Sequence, residues 1–137
     1  SSGHPMTEAI NPISSVIPAA AETIYRDWLN GKGHAAMTGA DATGTDEIGG
    51  KFTAWGGYIS GETVEVDENK RIVQKWRTTE FPTDAEDSIL TVTLESVEGG
   101  TKVALTHTNI PQPQAKNYEQ GWFDHYFEPM AKYYGSK

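Results

Sequence analysis

The chain of 137 residues contains no cysteine, which excludes disulfide scaffolds and thiolate chemistry and suits a reducing compartment. Positive charge is scarce as well: 11 Lys and Arg stand against 19 Asp and Glu, a formal charge of −8. That balance repels phosphate backbones and anionic membrane surfaces, so nucleic acid is not an expected partner. No apolar run is long enough to span a bilayer and no signal-peptide pattern is present, so the expectation is a cytoplasmic protein without membrane insertion. His125 stands beside Asp124 and near Glu128, but no second histidine lies three or four residues away, and no metal is expected. No Gly-x-Ser-x-Gly elbow marks a nucleophile. The Gly49-Gly50 and Gly56-Gly57 pairs lack the strand-to-helix setting of a phosphate loop, so no nucleotide cofactor is expected.

What the chain does have is alternation. In Gly57–Arg77, GYISGETVEVDENKRIVQKWR, Tyr58, Val64 and Val66 share one parity and Ile59 and Gly61 the other, as on opposite faces of a strand. The run Asp67-Glu68-Asn69-Lys70 supplies turn chemistry. Ile72, Gln74 and Trp76 then share a face, which predicts an antiparallel hairpin. Ile10–Ile17 reads as a first strand. Ala19–Leu29 carries three-and-four spacing through Ala20, Ala21, Ile24, Tyr25 and Trp28 and predicts a helix stopped by Gly31 and Gly33. A short helical turn is expected at His34–Met37. Further strands are predicted at Ala42–Glu47, Lys51–Trp55, Tyr58–Val66, Arg71–Arg77, Asp87–Val97 and Thr101–Asn109. Glu98-Gly99-Gly100 provides a hairpin turn between the last two.

After Pro111-Gln112-Pro113 the period becomes helical from Ala115 to Tyr134, with Tyr118, Trp122, Tyr126 and Tyr133 on one stripe and a kink expected at Pro129. Twenty helical residues reach about 30 Å, enough to span a ten-residue strand of about 33 Å. The fold expected is therefore α+β: a curved antiparallel sheet of six or seven strands wrapped around a long C-terminal helix, a helix grip, with one or two short helices after the first strand. Ser1-Ser2-Gly3-His4-Pro5 reads as an expression-vector remnant, leaving residues 6–137 as one domain.

Gly49-Gly50-Lys51-Phe52, Gly57-x-Ile59-x-Gly61, Arg71-Ile72-Val73 with Trp76-Arg77, Gly100-Thr101, His107 with Ile110-Pro111, and Gly121-Trp122 with Tyr126 resemble the C-terminal-domain type of the activator of ninety-kilodalton heat-shock protein ATPase family. That family lies in the START-like, or SRPBCC, superfamily, and the resemblance implies the same birch-pollen-allergen-like grip. Eukaryotic co-chaperones of the family carry a further N-terminal domain that binds the chaperone. Single-domain members resemble bacterial proteins whose superfamily relatives bind lipids, polyketides or other apolar molecules.

An internal cavity is thus expected to hold a small apolar ligand without catalysis, lined by Phe52, Gln74, Trp76, Leu90, Val92, Leu105, His107, Trp122 and Tyr126, with no cofactor. Trp28 and Tyr118 belong to the same aromatic set. Each of these residues has a plainer reading: aromatics at helical spacing fill cores, His107 is a core histidine bonded to a carbonyl or a hydroxyl, and Gln74 is a structural amide. An acid–base role in an enzyme would fall to His107. The competing function is a stress-related, chaperone-type adaptor that uses acidic groups such as Asp41, Asp46, Glu47 and Asp84 and holds no internal ligand.

Overall fold

The computed structural model describes residues 6–136, so the remnant expected at residues 1–5 lies outside the described residues. Six strands form one antiparallel sheet in the order β1-β6-β5-β4-β3-β2. They are β1 (Thr7–Ile17), β2 (Lys51–Ala54), β3 (Ile59–Asp67), β4 (Arg71–Thr78), β5 (Ser88–Val97) and β6 (Gly100–Pro111). Helices α1 (Ala21–Leu29) and α2 (Gly31–Thr38) follow β1, and the C-terminal helix comprises α3 (Ala115–Trp122), a π-helical turn (Phe123–Phe127) and α4 (Glu128–Gly135). This is the helix grip expected from the pattern.

Turn chemistry sets the register. Asn69 takes φ +64° and Gly99 φ +90° at the β3–β4 and β5–β6 turns, left-handed conformations that Asn and Gly adopt at least cost. Ser88, Leu90, Val92 and Leu94 on β5 and Thr101, Val103, Leu105 and His107 on β6 are buried, the period-two face that packs on the helix. On β3 the register shifts between Thr63 and Glu65. This bulge reverses side-chain parity: Ile59 and Thr63 point into the core before it, and Val66 packs against the core after it.

Three expectations need correction. Ala42–Glu47 makes one bridge, Thr43 to Thr53, and is otherwise not a strand. Its backbone is drawn off the sheet to the α1–α2 junction, where the Gly31 N–H donates to the Gly44 carbonyl at 3.2 Å. Second, Gly31 and Gly33 do not stop a helix but open α2, which Asn30 caps by accepting from the Gly33 N–H at 3.0 Å. Their missing Cβ atoms permit the close packing: one built on Gly31 would lie 2.8 Å from Thr43 Cα, and one on Gly33 2.7 Å from Asp27 Cα.

Third, the C-terminal helix changes at the π turn before Pro129 rather than by a simple kink at it. A proline cannot donate to the carbonyl four residues back and its ring crowds that group, here on His125; the wider turn makes room. The π turn also changes which residues face inward. Tyr118, Trp122, Tyr126, Met130 and Tyr134 are buried, a strict four-residue spacing that would drift about 40° per step on an ideal α-helix. The wider turn takes back part of that drift, so Tyr134 faces inward and Tyr133 is only partly buried. The Tyr134 hydroxyl donates to Asp27 Oδ2 at 2.7 Å, fastening α4 to α1.

Candidate functional site

Aromatic rings gather where α3 crosses the sheet. The Trp76 centroid lies 5.5 Å from Trp122, 5.1 Å from Tyr118 and 4.6 Å from His107. Trp122 and Tyr126 are 4.8 Å apart, and Trp28 reaches Tyr126 at 5.2 Å. Rings of this size hold the helix away from the sheet. A cleft of about 580 Å³ opens beside them.

One wall of the cleft is the corner between β2 and β3, contributed by Trp55, Tyr58 and Ile59. The other is the helix, with Tyr118, Gly121, Trp122 and Tyr126, while Trp76 lies between them on β4. Asn117, Gln120, Asp124 and His125 form an exposed rim. Trp55 has φ +54° and is followed by Gly56 and Gly57 at +67° and +97°. A bulky residue in that region is strained, and it holds the indole 5.0 Å from the His125 ring. The buried Trp55 Nε1 has no hydrogen-bond partner among the described residues. It stands near enough to the Tyr126 hydroxyl to act against the rise that burial imposes on that phenol. Burial, reinforced by the hydrogen bond it donates to Glu80, raises the pKa of Tyr58.

Of the residues expected to line the cavity, Trp76, Trp122 and Tyr126 come together on this wall. Phe52, Gln74, Leu90, Val92, Leu105 and His107 do not reach it. Leu90, Val92 and Leu105 are sealed in the core. Phe52 is half-buried over Gly61, where a Cβ would meet its Cζ at 2.8 Å.

His107 is enclosed by a directed chain of hydrogen bonds. The Trp122 indole N–H donates to Nδ1 at 3.2 Å, so Nε2 carries the proton and donates to Ser88 Oγ at 2.8 Å, which donates to the Trp76 carbonyl at 2.6 Å. Burial lowers its pKa to about 3. His34 has the opposite tautomer: Nδ1–H donates to the Trp28 carbonyl at 2.9 Å and Nε2 accepts from the Tyr126 hydroxyl at 2.7 Å. Burial lowers its pKa too. Gln74 accepts from the Trp28 indole at 3.2 Å and donates to Thr63 at 3.1 Å. These polar groups bond to one another and brace the wall from behind. Among the described residues, no group of three or more His, Asp or Glu side chains is placed to hold a metal ion.

Residues 18–135 match the family described as Activator of Hsp90 ATPase homolog 1-like protein. The chain belongs to this family. The human Activator of 90 kDa heat shock protein ATPase homolog 1 is 32% identical over 114 residues, covering 83% of this chain and 33% of that protein. The chain thus spans about a third of the length of the human and mouse homolog 1 proteins it matches. The crystal structure of an HSP90 activator from Plasmodium falciparum has a TM-score of 0.81 at 25% identity, covering 93% of this chain and 96% of that one. Ara h 8.0201 has a TM-score of 0.71 at 14% identity, covering 96% and 100% respectively, a likeness of fold.

In this member of the Hsp90-activator family, five of the residues that carry the resemblance meet at the cleft. Ile59, Trp76, Gly121, Trp122 and Tyr126 line it, and Gly61 lets β3 pack against β4: a Cβ there would lie 1.9 Å from the Lys75 carbonyl oxygen. The sequence reading missed Trp55 and Tyr58. The available signal was the run Trp-Gly-Gly-Tyr at residues 55–58, two aromatics around a pair of glycines free to turn a corner. Among the described residues no helix is long and apolar enough to cross a membrane.

Proposed function

We propose that this chain binds a small, largely apolar, ring-bearing molecule in the cleft, without catalysing its conversion. The observation that carries this reading is the cleft itself: about 580 Å³, walled by Trp55, Trp76, Tyr118, Trp122 and Tyr126, within the volume range of small-molecule sites. Aromatic walls bury flat ligands well and lose little side-chain entropy in doing so. A binding role is favoured over an enzymatic one because both nitrogens of His107 are engaged by protein groups, leaving that imidazole no free position for proton transfer. Residues 6–137 acting as one cytoplasmic domain belongs to the same reading.

Gly121 offers a clean test. A Cβ at this position would meet only His125 Cδ2, at 3.8 Å, and replacing a helical glycine favours the helix by up to about 1 kcal/mol. Gly121→Leu therefore fills the cleft while preserving the fold. Fluorescence titration with N-phenyl-1-naphthylamine is expected to saturate with the parent chain and to fail with Gly121→Leu at unchanged melting temperature. Equal binding by both proteins would sink the reading.

Family membership favours a second reading, a chaperone-type protein partner. Binding to a purified ninety-kilodalton heat-shock protein that weakens with salt and ignores Gly121→Leu would support it, since the chain is strongly acidic and exposed charges are screened.

A further inference from the structure

The cleft carries one histidine, His125, on its exposed rim and no permanently charged cation on its wall. Its lining includes neither Lys nor Arg, and its one carboxylate is Asp124 on the rim. The Gln120 side chain donates to Asp124 Oδ1 at 3.1 Å, and no Lys or Arg forms an ion pair with Asp124 among the described residues. A second negative charge is bonded to the wall: Glu80 accepts from the Tyr58 hydroxyl, and its field adds to burial in raising the phenol pKa of both Tyr58 and Tyr118. Arg77 does not offset these charges. Its guanidinium is held by Asp87 at 2.9 Å and by the carbonyls of Ala85 and Pro82, both at 3.0 Å. Most of the remaining wall is aromatic, from Trp55, Tyr58, Trp76, Tyr118, Trp122 and Tyr126, and ring faces carry negative quadrupole density that attracts cations and repels anions.

We propose that the cleft selects uncharged or cationic aromatic ligands and rejects anionic ones such as fatty-acid carboxylates and sulfonates, with Asp124 as the residue that sets this preference. The inference rests on the ligand-binding reading above. An anion entering here gives up its hydration with no counter-charge to replace it and approaches Asp124 on the rim and the Glu80-bonded Tyr58 on a chain of formal charge −8. A neutral ring system meets none of these penalties. A cationic one gains from the ring faces and from Asp124.

Two probes with one ring skeleton isolate the charge: N-phenyl-1-naphthylamine is neutral, and 8-anilino-1-naphthalenesulfonate adds a single sulfonate. Both are titrated against the full chain at about pH 8, above the ordinary histidine range, with Gly121→Leu as the control that assigns binding to the cleft. The sulfonate is expected to bind about tenfold more weakly, and to gain affinity as salt rises from about 50 to about 500 mM while the neutral probe does not. Asp124→Asn is expected to narrow the affinity ratio about threefold, and Asp124→Lys to narrow it further. A sulfonate that binds as tightly as the neutral probe overturns the charge selection, and a ratio that ignores both Asp124 substitutions overturns the role given to Asp124; either result leaves ligand binding standing. If neither probe binds the parent chain, ligand binding fails and this inference fails with it.

Discussion

The Trp122 indole N–H donates to His107 Nδ1 across 3.2 Å, tying the C-terminal helix to β6 through a bond shielded from water. It fixes the imidazole tautomer, and through Ser88 it connects the helix to the backbone of Trp76. Two residues of the cleft wall are therefore positioned by a histidine that is not itself on the wall.

Removing the imidazole should cost more than its volume suggests. His107→Leu keeps the bulk but leaves the Trp122 N–H buried without an acceptor, a penalty of about 1–3 kcal/mol. Trp122→Phe removes the donor instead. Urea unfolding of both single variants and the double variant should give a double-mutant cycle in which the double costs at least about 1 kcal/mol less than the sum. Strict additivity would show that the bond contributes nothing.

Acid should weaken the fold well before its carboxylates protonate. His107 has a pKa of about 3 in the folded chain, against about 6.5 when unfolded, so between those values the unfolded state binds the extra proton. The neutral histidine imposes no penalty above about pH 6.5, and stability falls as pH drops through that value towards 3, by up to about 1.4 kcal/mol per pH unit from this residue. His34, lowered for the same reason, acts in the same direction. Urea midpoints measured at pH 7.5 and pH 5 should show the loss, and His107→Leu should flatten the slope. A His107→Leu slope equal to that of the parent chain would refute the assignment.

Gly61 should tolerate no side chain. An alanine Cβ would lie 1.9 Å from the Lys75 carbonyl oxygen and 2.8 Å from Phe52 Cζ, so β3 must part from β4 or Phe52 must leave its slot. Gly61→Ala is expected to destabilise by more than about 3 kcal/mol, at the severe end for a single substitution. Gly121→Ala, with only an ordinary contact at 3.8 Å, serves as its control. Similar melting temperatures for the two variants would contradict the close packing of β3 on β4.

Much of the architecture lies on the surface of the sequence because period and turn chemistry are local. Alternation along β5 and β6, Gly99 at their turn, and the run Asp67–Lys70 between β3 and β4 each act within a few residues. The π turn is less legible: Pro129 marks a disturbance, but only the packing of Tyr126, Met130 and Tyr134 against the sheet and α1 selects a widened turn over a bend. Nor does local pattern reveal the bulge after Thr63, which depends on the pairing of β3 with β4.

The sequence by itself determined the period of the hairpin strands and of the helices, the acidic balance, the absence of thiol chemistry and the aromatic set Trp76, Trp122 and Tyr126. Only the tertiary structure decided which of those groups meet open space. An inward-facing residue can line a cavity or be sealed behind another layer, and alternation is the same in both cases. His107 and Gln74 are sealed because partners 11 to 46 residues away in sequence engage their polar atoms. Trp55, whose local sequence places it at the end of a strand, reaches the cleft because two glycines turn the chain beside a helix some 60 residues further on.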